Sequence, residues 1–167
     1  MSDKLKPKVI IYSDGSARKN PYGCGGYGVI VEKYDENGEL LSYEEFMEAF
    51  SIATNNTMEL MGAITGFENI REPSDITLYT DSQYITKAFN DDWIKSWKKN
   101  KWKTSAKKDV KNISLWKRLL KAMKGHDITI IWVKGHSGNL YNERADTLAQ
   151  AAADGIKSLK KDGVYEF

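Results

Sequence analysis

Two segments of the chain are near copies of each other, and together they restrict the possible fold. Residues Ile10–Asp14 and Thr77–Asp81 are short apolar runs, typical of buried strands, and each finishes on an aspartate. Between them, apolar residues recur with the period of a helix, which indicates a helical crossover of the kind that joins neighbouring parallel strands. If the two strands are neighbours, their backbones lie about 4.8 Å apart, and both carboxylates project from the same edge of the sheet.

The rest of the pattern predicts an α/β protein with a five-stranded mixed sheet flanked by helices. Strands are predicted at Val9–Ser13, Gly26–Lys33, Leu40–Phe50, Ile76–Thr80 and Ile128–Val133, with a turn at Asp14–Ser16. Helices are predicted at about Thr57–Arg71, after Asp81 and Ser82, at Ile113–Met123 with Asn112 as its cap, and at about Asn142–Ala153. The length of 167 residues and the hydrophobic share of 41% suit a single domain over residues 1–167.

Composition excludes several classes of protein. Cys24 is the only cysteine, so we expect no disulfide-linked partner, and two histidines beside it make a structural zinc site a poor match. No apolar run approaches the roughly 20 residues that a membrane-spanning helix needs, and residues 1–8 do not resemble a secretory signal. The glycine pattern of residues 23–28 leads into a predicted strand, not a helix, which argues against a dinucleotide site. We expect a cytoplasmic monomer that binds no membrane.

Two ionised carboxylates at adjacent strand ends repel each other unless one takes a proton or a cation lies between them. For either aspartate alone, a turn or a helix cap is the alternative interpretation. Glu59 is a third candidate, because it shares a helical stripe with Gly62, Ala63 and Gly66, whose small side chains would let the helix approach the sheet. Asp146 in the last helix is the fourth candidate, with an alanine on its stripe.

The near-neutral total charge of +2 conceals a strong asymmetry. Residues 87–124 contain 13 basic and three acidic residues, a net charge of +10, so the remainder carries −8. Four of the five tryptophans lie among these lysines, and flat rings beside cations suit a nucleic-acid partner. A solvated lysine-rich helix face is the alternative interpretation.

Several motifs, in this order along the chain, resemble those of type 1 ribonuclease H. They are Tyr12–Ser16, Thr54–Asn56 with Met58–Leu60, Thr80–Tyr84, and Gly135–Gly138 with Asn142–Asp146. Residues 97–104 look like the basic handle of that family, here placed at about residues 93–112, with a polar tail at about 155–167. The resemblance runs from about Lys8 to Ala153 and implies an endonuclease that hydrolyses the RNA strand of RNA–DNA hybrids, giving 5′-phosphate and 3′-hydroxyl ends.

The resemblance also assigns roles to individual residues. It implies that two Mg²⁺ ions, with Mn²⁺ as a possible substitute, are held by Asp14, Glu59, Asp81 and Asp146, with one ion activating water and the other stabilising the leaving oxygen. It makes His136 a helper in proton transfer or product release.

The implied substrate contacts form two groups. Those near the RNA strand are Asn20, Thr54, Asn55, Asn56 and Gln83, and Ser16 is a further substrate contact. Those near the DNA strand are Thr54 and Asn112 at a phosphate, Trp93 in the DNA channel, and Lys98, Lys99, Lys101, Trp102 and Lys103 in the handle. Two other classes stay open at this point: a non-catalytic hybrid-binding module, and a phosphate-transferring regulatory domain, which also gathers acids and Mg²⁺ at strand ends.

Overall fold

A mixed sheet forms the centre of the protein in its computed structural model, which describes residues 6–18, 23–135, 138–155, 158–159 and 165–166. The five strands are β1 (Lys8–Ala17), β2 (Gly23–Tyr34), β3 (Leu40–Ala53), β4 (Asp75–Thr80) and β5 (Asp127–Trp132). They lie in the order β3-β2-β1-β4-β5. β1 is antiparallel to β2 and parallel to β4, which confirms the predicted fold class.

Helices cover both faces of this sheet. They are α1 (Asn55–Glu68), α2 (Gln83–Asn90), α3 (Trp93–Lys99), α4 (Ile113–Met123) and α5 (Leu140–Ala153). α1 packs on the main core with Ile11 and Val29, whereas α5 packs on Tyr12 and Ile30, which point to the opposite face. Two short strands, β6 (Ser158–Leu159) and β7 (Tyr165–Glu166), pair with each other. Within these described stretches, no helix is long and apolar enough to cross a bilayer.

The two near-copy strands are parallel neighbours, as the sequence predicted. Their register pairs Tyr12 with Tyr79, and Ser13 with Thr80, so each aspartate follows the last residue of this pairing. The predicted turn at Asp14–Ser16 is wrong, because β1 continues as far as Ala17. These extra residues pair only with β2, whose antiparallel ladder extends beyond the end of β4.

Glycines allow the helices to approach the sheet closely, which confirms the expectation for the small-residue stripe of α1. A Cβ atom on Gly66 would lie 2.7 Å from Cγ2 of Ile11 in β1. On the other face, a Cβ atom on Gly28 of β2 would lie 2.3 Å from the carbonyl oxygen of Ala145 in α5. Gly28 belongs to the glycine pattern of residues 23–28, which lies within a strand and opens no helix, as predicted.

The tryptophans of the basic segment face the core more than the sequence suggested. Trp116 is completely buried, so the interpretation of all four rings as surfaces for stacking on nucleic acid is wrong for this residue. Trp93, Trp97 and Trp102 are half-buried and pack against the same core. Burying a large aromatic surface is favourable, and here it fixes the lysine-bearing segment to the body of the protein.

Asn112 begins α4 but does not cap it as predicted. Its backbone is left-handed, with φ of 61°, and its side chain makes no capping hydrogen bond. The side-chain amide instead donates to the hydroxyl of Tyr84 at 3.2 Å. Lys101, Trp102 and Lys107 also have positive φ, which shows that the handle turns sharply between α3 and α4.

We predict that Gly28→Ala lowers the free energy of unfolding by about 1–3 kcal/mol, because the new methyl group overlaps the backbone of α5. Gly62→Ala is the control: its Cβ would meet its nearest neighbours at 3.4 Å, and alanine favours the helix by up to about 1 kcal/mol. Urea denaturation of both variants measures the difference. Equal stabilities would contradict the close approach of α5 to β2.

Candidate active site

The carboxylates of Asp14 and Asp81 meet at the edge of the sheet where the pairing of β1 with β4 ends. Asp14 is only 9% exposed, and Asp81 is half-buried. Ser82, the next residue, caps α2 by accepting a hydrogen bond from the backbone N–H of Ile85 at 3.2 Å. Strand and helix thus fix the backbone on both sides of Asp81.

Glu59 reaches the same place from α1. Thr54 caps this helix through its hydroxyl, which accepts a hydrogen bond from the backbone N–H of Thr57 at 3.0 Å. The side chain of Glu59 is 8% exposed, and its Oε1 accepts a hydrogen bond from the backbone N–H of Gly15. The same N–H contacts Oδ1 of Asp14 at 2.8 Å, so one backbone donor serves two carboxylates.

Gly15 is required at this position for steric reasons. A Cβ atom here would lie 2.5 Å from the backbone nitrogen of Glu59 and 2.9 Å from its Oε1. Any larger residue would therefore separate α1 from the end of β1 and move Glu59 away from Asp14. The close approach brings three acids together: oxygen atoms of Asp14, Glu59 and Asp81 all lie within 4.8 Å of one another.

Asp146 completes the candidate set from α5. It lines the same small pocket as Asp14 and Asp81. Gln150, one turn further along the helix, donates to Oδ2 of Asp146 at 2.8 Å. The structure therefore brings together all four acids nominated from the sequence.

Burial and like charge make this cluster costly to ionise. Burial raises the pKa of the Asp14 carboxyl far above its ordinary value, and the charges of Glu59 and Asp81 raise it further. Burial also raises the pKa of Glu59, reinforced by the charge of Asp81, whereas hydrogen bonds from Asp14 and Gly15 oppose that rise. The backbone N–H of Gly15 donates to Oε1 of Glu59 and so favours the ionised form of this carboxyl.

These residues suit a divalent metal. Hard cations such as Mg²⁺ prefer carboxylate oxygens, and three carboxylates here offer oxygen atoms to one point. Oε2 of Glu59 is buried and makes no hydrogen bond, so it is a ligand atom without another partner among the described residues. A cation would satisfy this atom and relieve the repulsion between the acids.

Several of the predicted RNA contacts lie around the same edge. Oδ1 of Asn55 accepts the backbone N–H of Ala17 at 3.0 Å, and the Ser16 hydroxyl accepts from Arg18 at 3.0 Å. Asn56 and Gln83 are exposed in the first turns of α1 and α2. The remaining two predicted residues of this region, Asn20 and His136, lie outside the described residues.

The predicted DNA contacts lie on the handle and beside it. Lys98, Lys99 and Lys101 are exposed, whereas Lys103 forms an ion pair with Asp109. Trp102 is half-buried, and the ammonium group of Lys117 lies 5.5 Å from the centre of its ring. Trp93 is also half-buried, at the start of α3.

Sequence reasoning missed residues that position α5. Asn139 caps this helix, because its Oδ1 accepts the backbone N–H groups of Tyr141 at 3.1 Å and Asn142 at 3.2 Å. An asparagine before an alanine-rich helix is a recognisable cap signal. The guanidinium of Arg144 binds Glu45 of β3 with contacts of 2.7 and 3.0 Å, a long-range pair that no sequence pattern indicates.

Comparisons with known proteins agree with this geometry. The family model described as RNase H matches residues 6–154. The ribonuclease H of Lachnoclostridium phytofermentans is 50% identical over 159 residues, which cover 95% of this chain and 99% of that protein. The ribonuclease H of Salmonella arizonae is 47% identical over 159 residues, covering 95% of this chain and 96% of that one.

The fold has a close counterpart among solved structures. The crystal structure of LC9-RNase H1, a type 1 RNase H with the type 2 active-site motif, superimposes with a TM-score of 0.80 and 29% identity. That match covers 99% of this chain and 77% of the other. The family match, the near-full-length relatives and the shared fold lead to one conclusion: the chain belongs to the ribonuclease H family.

Proposed function

We propose that the protein is an endonuclease that hydrolyses the RNA strand of RNA–DNA hybrids and leaves 5′-phosphate and 3′-hydroxyl ends. The observation that carries this proposal is the convergence of the Asp14, Glu59 and Asp81 carboxylates, with ligand atoms within 4.8 Å of one another. Three buried or half-buried acids are a poor acid–base set at neutral pH and a suitable site for divalent cations.

The four acids would hold two Mg²⁺ ions, for which Mn²⁺ could substitute. When bound, such ions lower the pKa of water and stabilise negative charge on a leaving oxygen. Asp14 and Glu59 would be the most rigid ligands, because the N–H of Gly15 fixes both carboxylates. Asp146 would present its carboxylate from α5, oriented by Gln150. His136 would assist proton transfer or product release, a role that rests on the resemblance alone.

Selection of RNA over DNA would come from amide side chains next to the acids. An amide can both donate and accept hydrogen bonds, which suits a 2′-hydroxyl group. Oδ1 of Asn55 accepts the backbone N–H of Ala17, and this contact orients the side-chain amide. We propose that Asn55 is one of the RNA contacts. Asn20, Asn56, Gln83 and Ser16 would complete the RNA contacts.

The opposite strand would be bound through its phosphates. The exposed lysines of the handle can neutralise phosphates without reading sequence, and Thr54 and Asn112 would contact one phosphate nearer the acids. Trp93 and Trp102 would line the DNA channel with their exposed edges. We further propose one catalytic unit over residues 1–167, with the handle at 93–112 and the tail at 155–167, that acts as a cytoplasmic monomer.

The direct test uses matched RNA–DNA hybrid, RNA duplex and DNA duplex, each with Mg²⁺ and with chelator. We expect Mg²⁺-dependent cleavage of the hybrid's RNA strand only. Glu59→Gln should abolish cleavage while hybrid affinity is largely retained, because the amide preserves shape but loses the ligand charge. Glu68→Gln, the same change at an exposed position on the same helix, is the control and should cleave normally. Binding without cleavage by the parent would instead indicate a non-catalytic hybrid-binding module.

We predict that Asp14→Asn stabilises the metal-free protein while eliminating activity. The folded-state pKa of this carboxyl lies above its unfolded value. Its contribution to the free energy of unfolding is therefore fully present at acid pH and is lost as the pH rises through the neutral range. In chelator, the variant should therefore melt higher than the parent at pH 8, by about 2–4 °C per kcal/mol of repulsion removed, with a smaller gain at pH 5. Added Mg²⁺ should stabilise the parent more than the variant.

Asp75→Asn changes an exposed residue at the start of β4 and is the control for these melts. It should neither raise the melting temperature in chelator nor reduce the stabilisation by Mg²⁺. If Asp14→Asn instead melts below the parent in chelator at pH 8, the cluster is not repulsive.

We predict that replacing Lys98, Lys99 and Lys101 together with glutamine weakens hybrid binding and lowers its salt dependence. Removing one lysine–phosphate interaction should reduce the slope of log affinity against log salt by about 0.9. Lys103→Gln should have a smaller effect, because its ammonium already pairs with Asp109. The control is Lys6→Gln with Lys8→Gln, at the far end of β1, and binding isotherms at several salt concentrations give the slopes. An unchanged slope in the triple variant would make these lysines a solvated face.

A further inference from the structure

The hydroxyl of Tyr84 accepts hydrogen bonds from two different side chains. Nε1 of the Trp116 indole donates to it at 3.1 Å, and Nδ2 of Asn112 donates at 3.2 Å. Tyr84 lies on α2, whereas the two donors lie at the beginning and in the first turns of α4. A single phenolic oxygen therefore joins the start of α4 to the helix that follows Asp81.

Trp116 makes the position of this hydroxyl difficult to change. Its ring is completely buried and packs against the Tyr84 ring, with centroids 5.1 Å apart. A buried indole N–H without an acceptor is destabilising, and the Tyr84 hydroxyl supplies that acceptor. The tyrosine oxygen is therefore fixed independently of Asn112.

Asn112 has an unusual conformation for the residue that begins a helix. It is left-handed, with φ of 61°, and its side chain does not take the capping role for which asparagine is favoured. The backbone carbonyl oxygen of Asn112 still accepts the first helical hydrogen bond, from the backbone N–H of Trp116 at 2.9 Å. The backbone of Asn112 thus takes part in the hydrogen bonds of the helix, while its side chain donates to Tyr84.

We propose that Tyr84 is a positioning residue that fixes the Asn112 amide so that its second N–H contacts a phosphate of the bound DNA strand. A primary amide has two N–H bonds, and Tyr84 takes one of them. Because Tyr84 is the third residue after Asp81, this contact sets the phosphate at a defined place relative to the acids. The inference rests on the proposed function, since it requires the DNA strand to pass Asn112.

The test compares Tyr84→Phe, Asn112→Ala and the double variant in hybrid cleavage and in hybrid binding at several salt concentrations. We expect Tyr84→Phe to raise KM by about tenfold with kcat changed less than about twofold. The salt slope should stay unchanged, because a neutral amide neutralises no phosphate charge and releases no counterion. If Tyr84 acts through Asn112, the double variant should be no worse than Asn112→Ala alone.

Leu119→Ala is the control for a merely structural effect. Leu119 is completely buried on α4 and is not a partner in the Tyr84–Asn112 hydrogen bond, so this variant should lower the melting temperature while leaving KM unchanged. If Tyr84→Phe behaves in the same way, or if its effect adds fully to that of Asn112→Ala, the inference is wrong. If the parent cleaves the hybrid and Asn112→Ala is indistinguishable from the parent, the inference is wrong and the proposed function stands. If the parent does not cleave the hybrid, the proposed function itself is wrong.

A second measurement needs no variant. In the parent with chelator, addition of matched hybrid should shift one of the two Asn112 side-chain amide proton resonances strongly, and the Trp116 indole resonance little. Equal and small shifts of both amide protons would contradict a directed contact with phosphate.

Discussion

Repulsion between buried carboxylates is the constraint on which the site depends. Two unit charges 4 Å apart repel by about 4 kcal/mol at an effective dielectric constant of 20, and Asp14, Glu59 and Asp81 offer oxygens within 4.8 Å of one another. The fold enforces this arrangement through its backbone: the parallel pairing of β1 with β4 places two acids, and the N–H of Gly15 holds the third. The metal-free protein thus holds a cluster that a divalent cation would stabilise.

Close packing transmits that constraint to the rest of the fold. Gly66 brings α1 against Ile11, and Gly28 brings α5 against β2, at distances where a Cβ atom would clash. These contacts bring Glu59 and Asp146 to the edge of the sheet from opposite faces. The pair formed by Arg144 and Glu45 adds a charged contact between α5 and β3. The position of each acid therefore depends on contacts remote from it in sequence.

Much of the fold could be predicted from local sequence patterns, because strand alternation, helical stripes and turn residues are each visible within a short stretch of sequence. The twin strands and the small residues beside Glu59 belong to that class, whereas the grouping of all four acids into one site was implied by the family resemblance. Other features depend on tertiary contacts that no window of sequence contains. β1 passes Asp14 because β2 continues beside it, Trp116 is buried because α2 and α4 meet over it, and Asn112 leaves its capping role because Tyr84 lies within reach. The roles of the substrate contacts stay predictions.

The most direct test of the acidic cluster as a metal site is an anomalous difference map from crystals of the protein grown with Mn²⁺. We expect a strong peak bounded by the carboxylates of Asp14, Glu59 and Asp81, with Oε2 of Glu59 among its ligands, and no such peak in crystals of Glu59→Gln. A map from the parent with no peak between these carboxylates, at a Mn²⁺ concentration that supports hybrid cleavage, would contradict the assignment of this acidic cluster as the metal site.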